Sequence, residues 1–150
     1  EYESRHYRNA KNAFILALSE GMDSRTNLGY MLRRREIDSL VISGHSYNAK
    51  ELFKDGVDSA DPTALMNMAL LLCYKDNKYN YGTGLEFLKQ YSSNSKLEIT
   101  YSWWNEQAQK GEIEGYVVLL WLLDLNFIEE ERMNYSRHDL LEYLNGYLEN

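Results

Sequence analysis

Few residues in this 150-residue chain have the types and spacing that chemistry requires. Cys73 is the single cysteine, and with His45 or His138 it has the makings of a nucleophile and base, because a thiol needs a nearby imidazole to become a thiolate. No local signature supports that pairing. Cys73 follows Leu70, Leu71 and Leu72 in an apolar helical pattern, where a thiol is expected to be buried and inert. His6, His45 and His138 lie far apart, without the i, i+4 spacing that sets two metal ligands on one helix face. Glu129, Glu130 and Glu131 are consecutive, so on a helix they point in different directions, whereas a calcium loop needs alternating ligands and a glycine. Gly82-Thr83-Gly84 lacks the lysine that follows in a phosphate loop, and is expected to be a turn. Neither a catalytic residue nor a cofactor or metal ligand is expected.

What remains is suited to binding. Arg33 to Arg35 can grip an acidic peptide or a phosphate, since guanidinium forks match such anions, although three cations also suit a helix C-terminus. Thirteen tyrosines and three tryptophans are many for this length, and such side chains are enriched at interfaces. Trp103 and Trp121 are expected to face the core, and Trp104, beside Tyr101 and Asn105, to face a groove.

Composition narrows the classes further. A net charge of -7 argues against a surface that tracks phosphates, so nucleic acid is not an expected partner. A lone cysteine excludes an intramolecular disulfide and fits a reducing cytoplasm. The longest apolar stretch, Val117 to Leu123, falls well short of the ~20 residues that span a bilayer, so no membrane is expected. The sequence opens on Glu1 without an initiator Met, which fits a piece of a longer protein.

The elements that must position these side chains are helices. One proline and nine glycines leave too few breakers for an all-β fold. Ala10, Ala13, Phe14, Ala17 and Leu18 recur at three- and four-residue steps, with Gly21 as a stop. A second helix is expected from a cap at Asp23 or Ser24 through Leu28 and Met31, while Ile37 to Gly44 fits a short helix or a packed loop. Helical spacing resumes at Tyr47, Ala49, Leu52 and Phe53. Asp61-Pro62 then gives a strong start signal for a helix burying Ala64, Leu65, Met68, Ala69 and Leu72. Lys75 to Tyr81 suggests a loop, Gly84 to Tyr91 a short helix, and Ser95 to Glu98 a capping box opening a helix to Lys110. Gly111 breaks it. Ile113 to Phe127 is apolar nearly all round, and Ser136 to Asp139 caps a last helix carrying Leu140, Leu141, Tyr143, Leu144 and Leu148.

Three stretches share one template: AKNAFILALSEGMDSRTNLGYM from Ala10, AKELFKDGVDSADPTALMNMALLL from Ala49, and TYSWWNEQAQKGEIEGYVVLLWLL from Thr100. Trp103, Trp104, Ala108 and Gly111 resemble the first helix and break of Sel-one-like repeats, relatives of tetratricopeptide repeats. Asn27-Leu28-Gly29 and Asn67-Met68-Ala69 resemble the second helix. The helix-opening positions Ser24, Ala64 and Gly115 lie 40 and 51 residues apart, longer than the ~34 of a tetratricopeptide repeat. The family's glycine pair after the second helix is absent.

The resemblance implies an all-α fold of antiparallel helix hairpins, stacked as a short right-handed superhelix. It would form one domain over 1–150, with repeats near 7–36, 47–75 and 96–128, an extra helix over 82–91 and a capping helix over 136–149. It implies a non-catalytic module binding a protein or peptide on its concave face, or else the regulatory part of a larger protein whose catalytic domain lies outside this chain. Asn27 and Asn67 would sit where such repeats hydrogen-bond a bound backbone, and Asn27, Arg34, Asn67, Tyr101, Trp104 and Asn105 are the expected binding residues.

Overall fold

The computed structural model describes residues 22–35, 40–42 and 44–149. Helix dominates them and strand is scarce, as expected of an all-α chain. The helix expected over Tyr7 to Leu18 lies outside the described residues. The chain forms two compact units, Glu1–Ser59 and Ala60–Asn150.

In the first unit, α1 (Met22–Arg33) packs on α2 (Ala49–Asp58). Asp23 and Ser24 lie inside the first turn of α1, not at its cap as expected. Leu28 and Met31 of α1 and Leu52 and Phe53 of α2 are buried, and Arg25 bonds Asp55 across the pair. Helices this close need a gap in one surface. Gly29 supplies it, since a Cβ there would stand 2.6 Å from Phe53 Cε1. Between the helices, β1 (Leu40–Ile42) pairs antiparallel with β2 (His45–Tyr47), which settles the stretch that the sequence left open as a hairpin. Asn48 caps α2 by accepting from the Glu51 N–H at 2.8 Å, and the Glu51 carboxylate accepts from the Asn48 N–H in return.

In the second unit, Asp61 caps α3 (Pro62–Cys73) with Pro62 at the first helical position, as its sequence dictates. Ala64, Leu65, Met68 and Ala69 are buried as expected, but Leu72 is exposed. The stretch expected to be a loop is a second hairpin, β3 (Tyr74–Lys75) against β4 (Lys78–Tyr79). Asp76 and Asn77 turn it with positive φ of 53° and 64°, the left-handed pair that matches strand twist. Asn80 then caps α4 (Tyr81–Tyr91) by accepting from the Thr83 N–H. Gly82-Thr83-Gly84 is therefore the first turn of a helix, a correction to the turn expected there.

No capping box forms at Ser95. A 3-10 turn over Leu97–Thr100 runs directly into α5 (Tyr101–Gln109), with no side chain capping either start. Gly111, at φ +85°, ends α5 in a Schellman motif in which the Gly111 and Glu112 N–H groups donate to Ala108 and Gln107 oxygens. Asn126, at φ +64°, closes α6 (Ile113–Asp124) the same way, short of the Phe127 expected. Ser136 and Asp139 form the expected capping box of α7 (Arg137–Tyr143), a short helix that buries Leu140 and is followed by buried Leu144.

The core of this unit is α6, buried from Glu114 to Leu122. On one side a Cβ at Gly84 of α4 would fall 2.1 Å from Trp121 Cζ2, so the indole fills the space a side chain would take. On another, a Cβ at Gly115 would fall 2.4 Å from the Ala108 backbone N and 2.8 Å from the Trp104 O of α5. Helix propensity favours Gly→Ala by about 1 kcal/mol, but backbone atoms cannot step aside. Gly115→Ala is therefore expected to lower stability by at least ~2 kcal/mol through overpacking, read from urea midpoints. Gly82→Ala, with only Asn80 Oδ1 nearby at 3.7 Å, is expected to be neutral or slightly stabilising. Equal midpoints for the two variants would disprove this account.

Candidate functional site

Of the six residues expected to bind, Asn27 and Arg34 belong to the first unit and Asn67, Tyr101, Trp104 and Asn105 to the second. Asn27 is exposed on α1, and Arg34, half-buried just past its end, has its guanidinium carbon 5.8 Å from the Tyr30 ring centroid beside Arg33 at 5.4 Å. The basic run thus ends a helix and lies over an aromatic ring, a cation–π arrangement. Asn67 is buried in α3, where its amide donates to the Thr63 oxygen of its own helix at 2.9 Å. The two asparagines therefore occupy unlike environments, and Asn67 does not present its amide to a solvent-borne backbone.

Tyr101, Trp104 and Asn105 share α5, but Trp104 does not face a groove. It is 2% exposed, whereas Trp103 is 43% exposed. The expected register is reversed. On a helix Trp104 and Ala108 fall one turn apart on the same face, and that face closes on Gly115 of α6. Trp103, about 100° round the helix, is thereby turned outward. Tyr101 and Asn105 are half-buried, and Asn105 Oδ1 lies buried without a hydrogen-bond donor among the described residues.

The outward side carries two exposed apolar side chains. Ile99, at 67% exposure, precedes Trp103 by four residues where the 3-10 turn feeds into α5. The Trp103 ring meets Trp104 edge-on, with centroids 4.5 Å apart and planes at 89°. The buried indole thus holds the exposed one, and a large aromatic fixed before contact loses little entropy on binding. Lys110 and Glu106 pair at 3.3 Å further along α5, giving this apolar step a charged neighbour.

A second constellation, which sequence reasoning missed, joins α4, α6 and α7. Tyr81 Oη donates to Asp124 Oδ2 at 2.7 Å, and Arg137 donates to both Asp124 oxygens, Nε at 2.9 Å and Nη2 at 3.2 Å. Trp121 Nε1 donates to the Tyr81 carbonyl at 3.1 Å, and the Arg137 N–H to Glu130 Oε2 at 2.7 Å. Burial and the hydrogen bond to Asp124 push the Tyr81 phenol far above its ordinary range, so it stays a neutral donor. Partial burial works to raise the Asp124 carboxyl, but the Arg137 and Tyr81 hydrogen bonds outweigh it and hold that carboxyl below the usual range. A carboxylate tied to three donors from two partners is a clasp between helices and offers no free base. Nothing in the spacing of residues 81, 124 and 137 signals it.

The thiol and the two described histidines are also engaged. Cys73 is buried as expected and donates to the Leu70 oxygen at 3.6 Å. His45 pairs with Glu51 Oε2 at 3.0 Å, and His138 with Glu142 at 3.7 Å. Among the described residues no group of three His, Cys, Asp or Glu could hold a metal ion, and no helix is long and apolar enough to cross a membrane.

No protein-family model, no curated protein and no solved structure matches this chain.

Two outcomes follow. Trp104→Ala is expected to cost ~3–5 kcal/mol as a large-to-small core change, and Trp103→Ala less than about 1 kcal/mol; calorimetry of both variants checks the register, and the reverse order would refute it. Because Asp124 has a depressed folded pKa, its contribution is full above the unfolded carboxylate value of about 4 and is lost as pH falls through the folded value. Arg137→Gln should remove on the order of 1 kcal/mol at pH 7, a modest figure because the guanidinium is half-exposed, and nothing once Asp124 is protonated. A loss that stays constant down to pH 2 would show that packing, not charge, is responsible.

Proposed function

We propose that this chain is a non-catalytic protein-interaction module of the Sel-one-like helical-repeat type, acting in the cytoplasm, with its helix hairpins stacked as a short right-handed superhelix. The observation that carries this reading is the Ile99–Trp103 step, an exposed apolar surface held by a buried tryptophan. Aromatic anchors of this kind, rigid and ringed by polar neighbours, supply most of the energy at protein interfaces. Support also comes from the repeat signature. The glycine of Asn27-Leu28-Gly29 is where Phe53 packs closest, Trp104 and Ala108 form the buried face of α5, and Gly111 makes the break in the left-handed conformation. Those are the uses a stacked helix-hairpin fold has for such residues.

The partner is a protein or peptide with an apolar side chain to set against Trp103. Capture from the host's lysate, with the chain as bait and mass spectrometry as readout, tests this. A specific partner should bind the parent and a Lys110→Ala control alike, and be reduced at least tenfold by an Ile99→Ser, Trp103→Ala double variant that keeps the parent's circular dichroism. Retention by the double variant would overturn the assignment of the surface, and the absence of any partner would overturn the module reading.

A further inference from the structure

A one-residue parallel bridge from the C-terminal segment adds to the β3–β4 hairpin. Tyr79 pairs inward with Tyr74, so its own N–H and C=O point outward from the hairpin, and both are taken by the segment that follows α7. The Tyr79 N–H donates to the Tyr147 oxygen at 2.8 Å, and the Glu149 N–H donates to the Tyr79 oxygen at 2.8 Å. Leu148 bridges Tyr79 between them, in parallel. The seat is firm, because the Tyr79 side chain is buried with its ring tilted against that of Tyr74, centroids 5.0 Å apart, and the Asn80 N–H on the inner side donates to the Cys73 oxygen at 2.8 Å.

The seated segment is the looser partner. Beyond buried Leu144 the chain turns through Gly146 at φ +89°, and of Asn145 to Glu149 only Leu148 is even half-buried. Two backbone hydrogen bonds to Tyr79, a turn bond from the Tyr147 N–H to the Leu144 oxygen at 2.9 Å and part of one leucine offset the entropy of ordering three residues, and each net gain is of the same order as that cost. Removing this segment would expose an edge with one donor and one acceptor aligned for another strand.

We propose that the outer edge of β4 is a peptide-binding site that accepts an extended strand in parallel by β-augmentation, and that Tyr147–Glu149 is an occupant from the same chain that a partner must displace. This rests on the interaction-module reading and gives it a second, chemically distinct surface. The ligand is defined by what sits there now: an aromatic residue in register with Lys78, a leucine to bridge Tyr79, then a residue beside Asn80 whose N–H donates to the Tyr79 oxygen. Main-chain bonds supply the attachment, and the leucine position the selectivity.

The test uses the full chain with Glu149→Pro, which deletes the donor N–H of the resident strand at an exposed position outside every helix. The probe is a fluorescein-labelled peptide of sequence Asn-Gly-Tyr-Leu-Glu-Asn, followed by anisotropy. Glu149→Pro is expected to bind it at least tenfold tighter than the parent, whose site is occupied, and N-methylation of the peptide's glutamate nitrogen should weaken binding at least tenfold. Equal binding to parent and variant, or none to a variant with the parent's circular dichroism and tryptophan emission, overturns the site. Should that variant unfold, hydrogen exchange on the parent decides. The Tyr79 and Glu149 amides are expected to exchange together and faster than that of Asn80, and Tyr79 exchange only through global unfolding overturns the proposal. A parent dimer by sedimentation that Glu149→Pro abolishes would make the occupant a second copy and overturn the choice of a peptide partner. The probe is the chain's own sequence, so its failure leaves the Ile99–Trp103 test untouched.

Discussion

Three helix contacts in this protein depend on places where a side chain is missing. At Gly29 the gap admits Phe53, at Gly84 it admits Trp121, and at Gly115 it lets the backbones of α5 and α6 approach directly. The constraint propagates. Because Trp121 enters the space over Gly84, its Nε1 reaches the Tyr81 carbonyl, and Tyr81 in turn reaches Asp124, the carboxylate that holds Arg137 of α7. Because Gly115 admits Ala108 and Trp104, the face of α5 that points inward is fixed, and with it the face that points out. The geometry of the second unit therefore follows from two glycines, and the polar clasp is a consequence of that packing rather than its cause.

That order of causes explains what could be read from the residues. Asp61-Pro62 and Ser136 to Asp139 are local devices in which the capping side chain and its N–H are three residues apart, so the sequence contains the whole interaction. Gly111 as a break and Cys73 as a buried thiol were legible for the same reason. Ser95 to Glu98 has the same letters as a cap but no cap forms, because Leu97 and Thr100 are drawn into the core and the chain tightens into a 3-10 turn first. The start of α4 was misplaced because Gly82 and Gly84 suggest a turn to anyone who cannot see Trp121, which lies 37 residues on. The two hairpins were missed for a simpler reason: strands of two or three residues are too short for alternation to show.

The expected facing of Trp103 and Trp104 was wrong in register. Adjacent aromatics at 103 and 104 cannot both face inward on a helix, and the repeat template did not say which one should. What decides is the glycine on the neighbouring helix, since Gly115 contacts the Ala108 backbone and that fixes the 104–108 stripe. Asn27 and Asn67 illustrate the same limit. Identical letters in matching slots sit in one case on the surface and in the other inside, because α3 is covered along its length from Ala64 to Leu70 and α1 is not covered at residue 27.

The two surfaces that remain differ in how their energy arises, and this bears on what each can recognise. At Ile99 and Trp103 the gain on binding would come from removing apolar area from water, which is non-directional, so affinity there would exceed specificity. At the edge of β4 the groups are one N–H and one C=O with fixed direction, so orientation is imposed while net affinity is small. A partner engaging both would link a weak but oriented contact to a stronger unoriented one, and the second contact would then form at the high local concentration that tethering gives. Neither surface alone would have to be large for such a partner to be held in one pose.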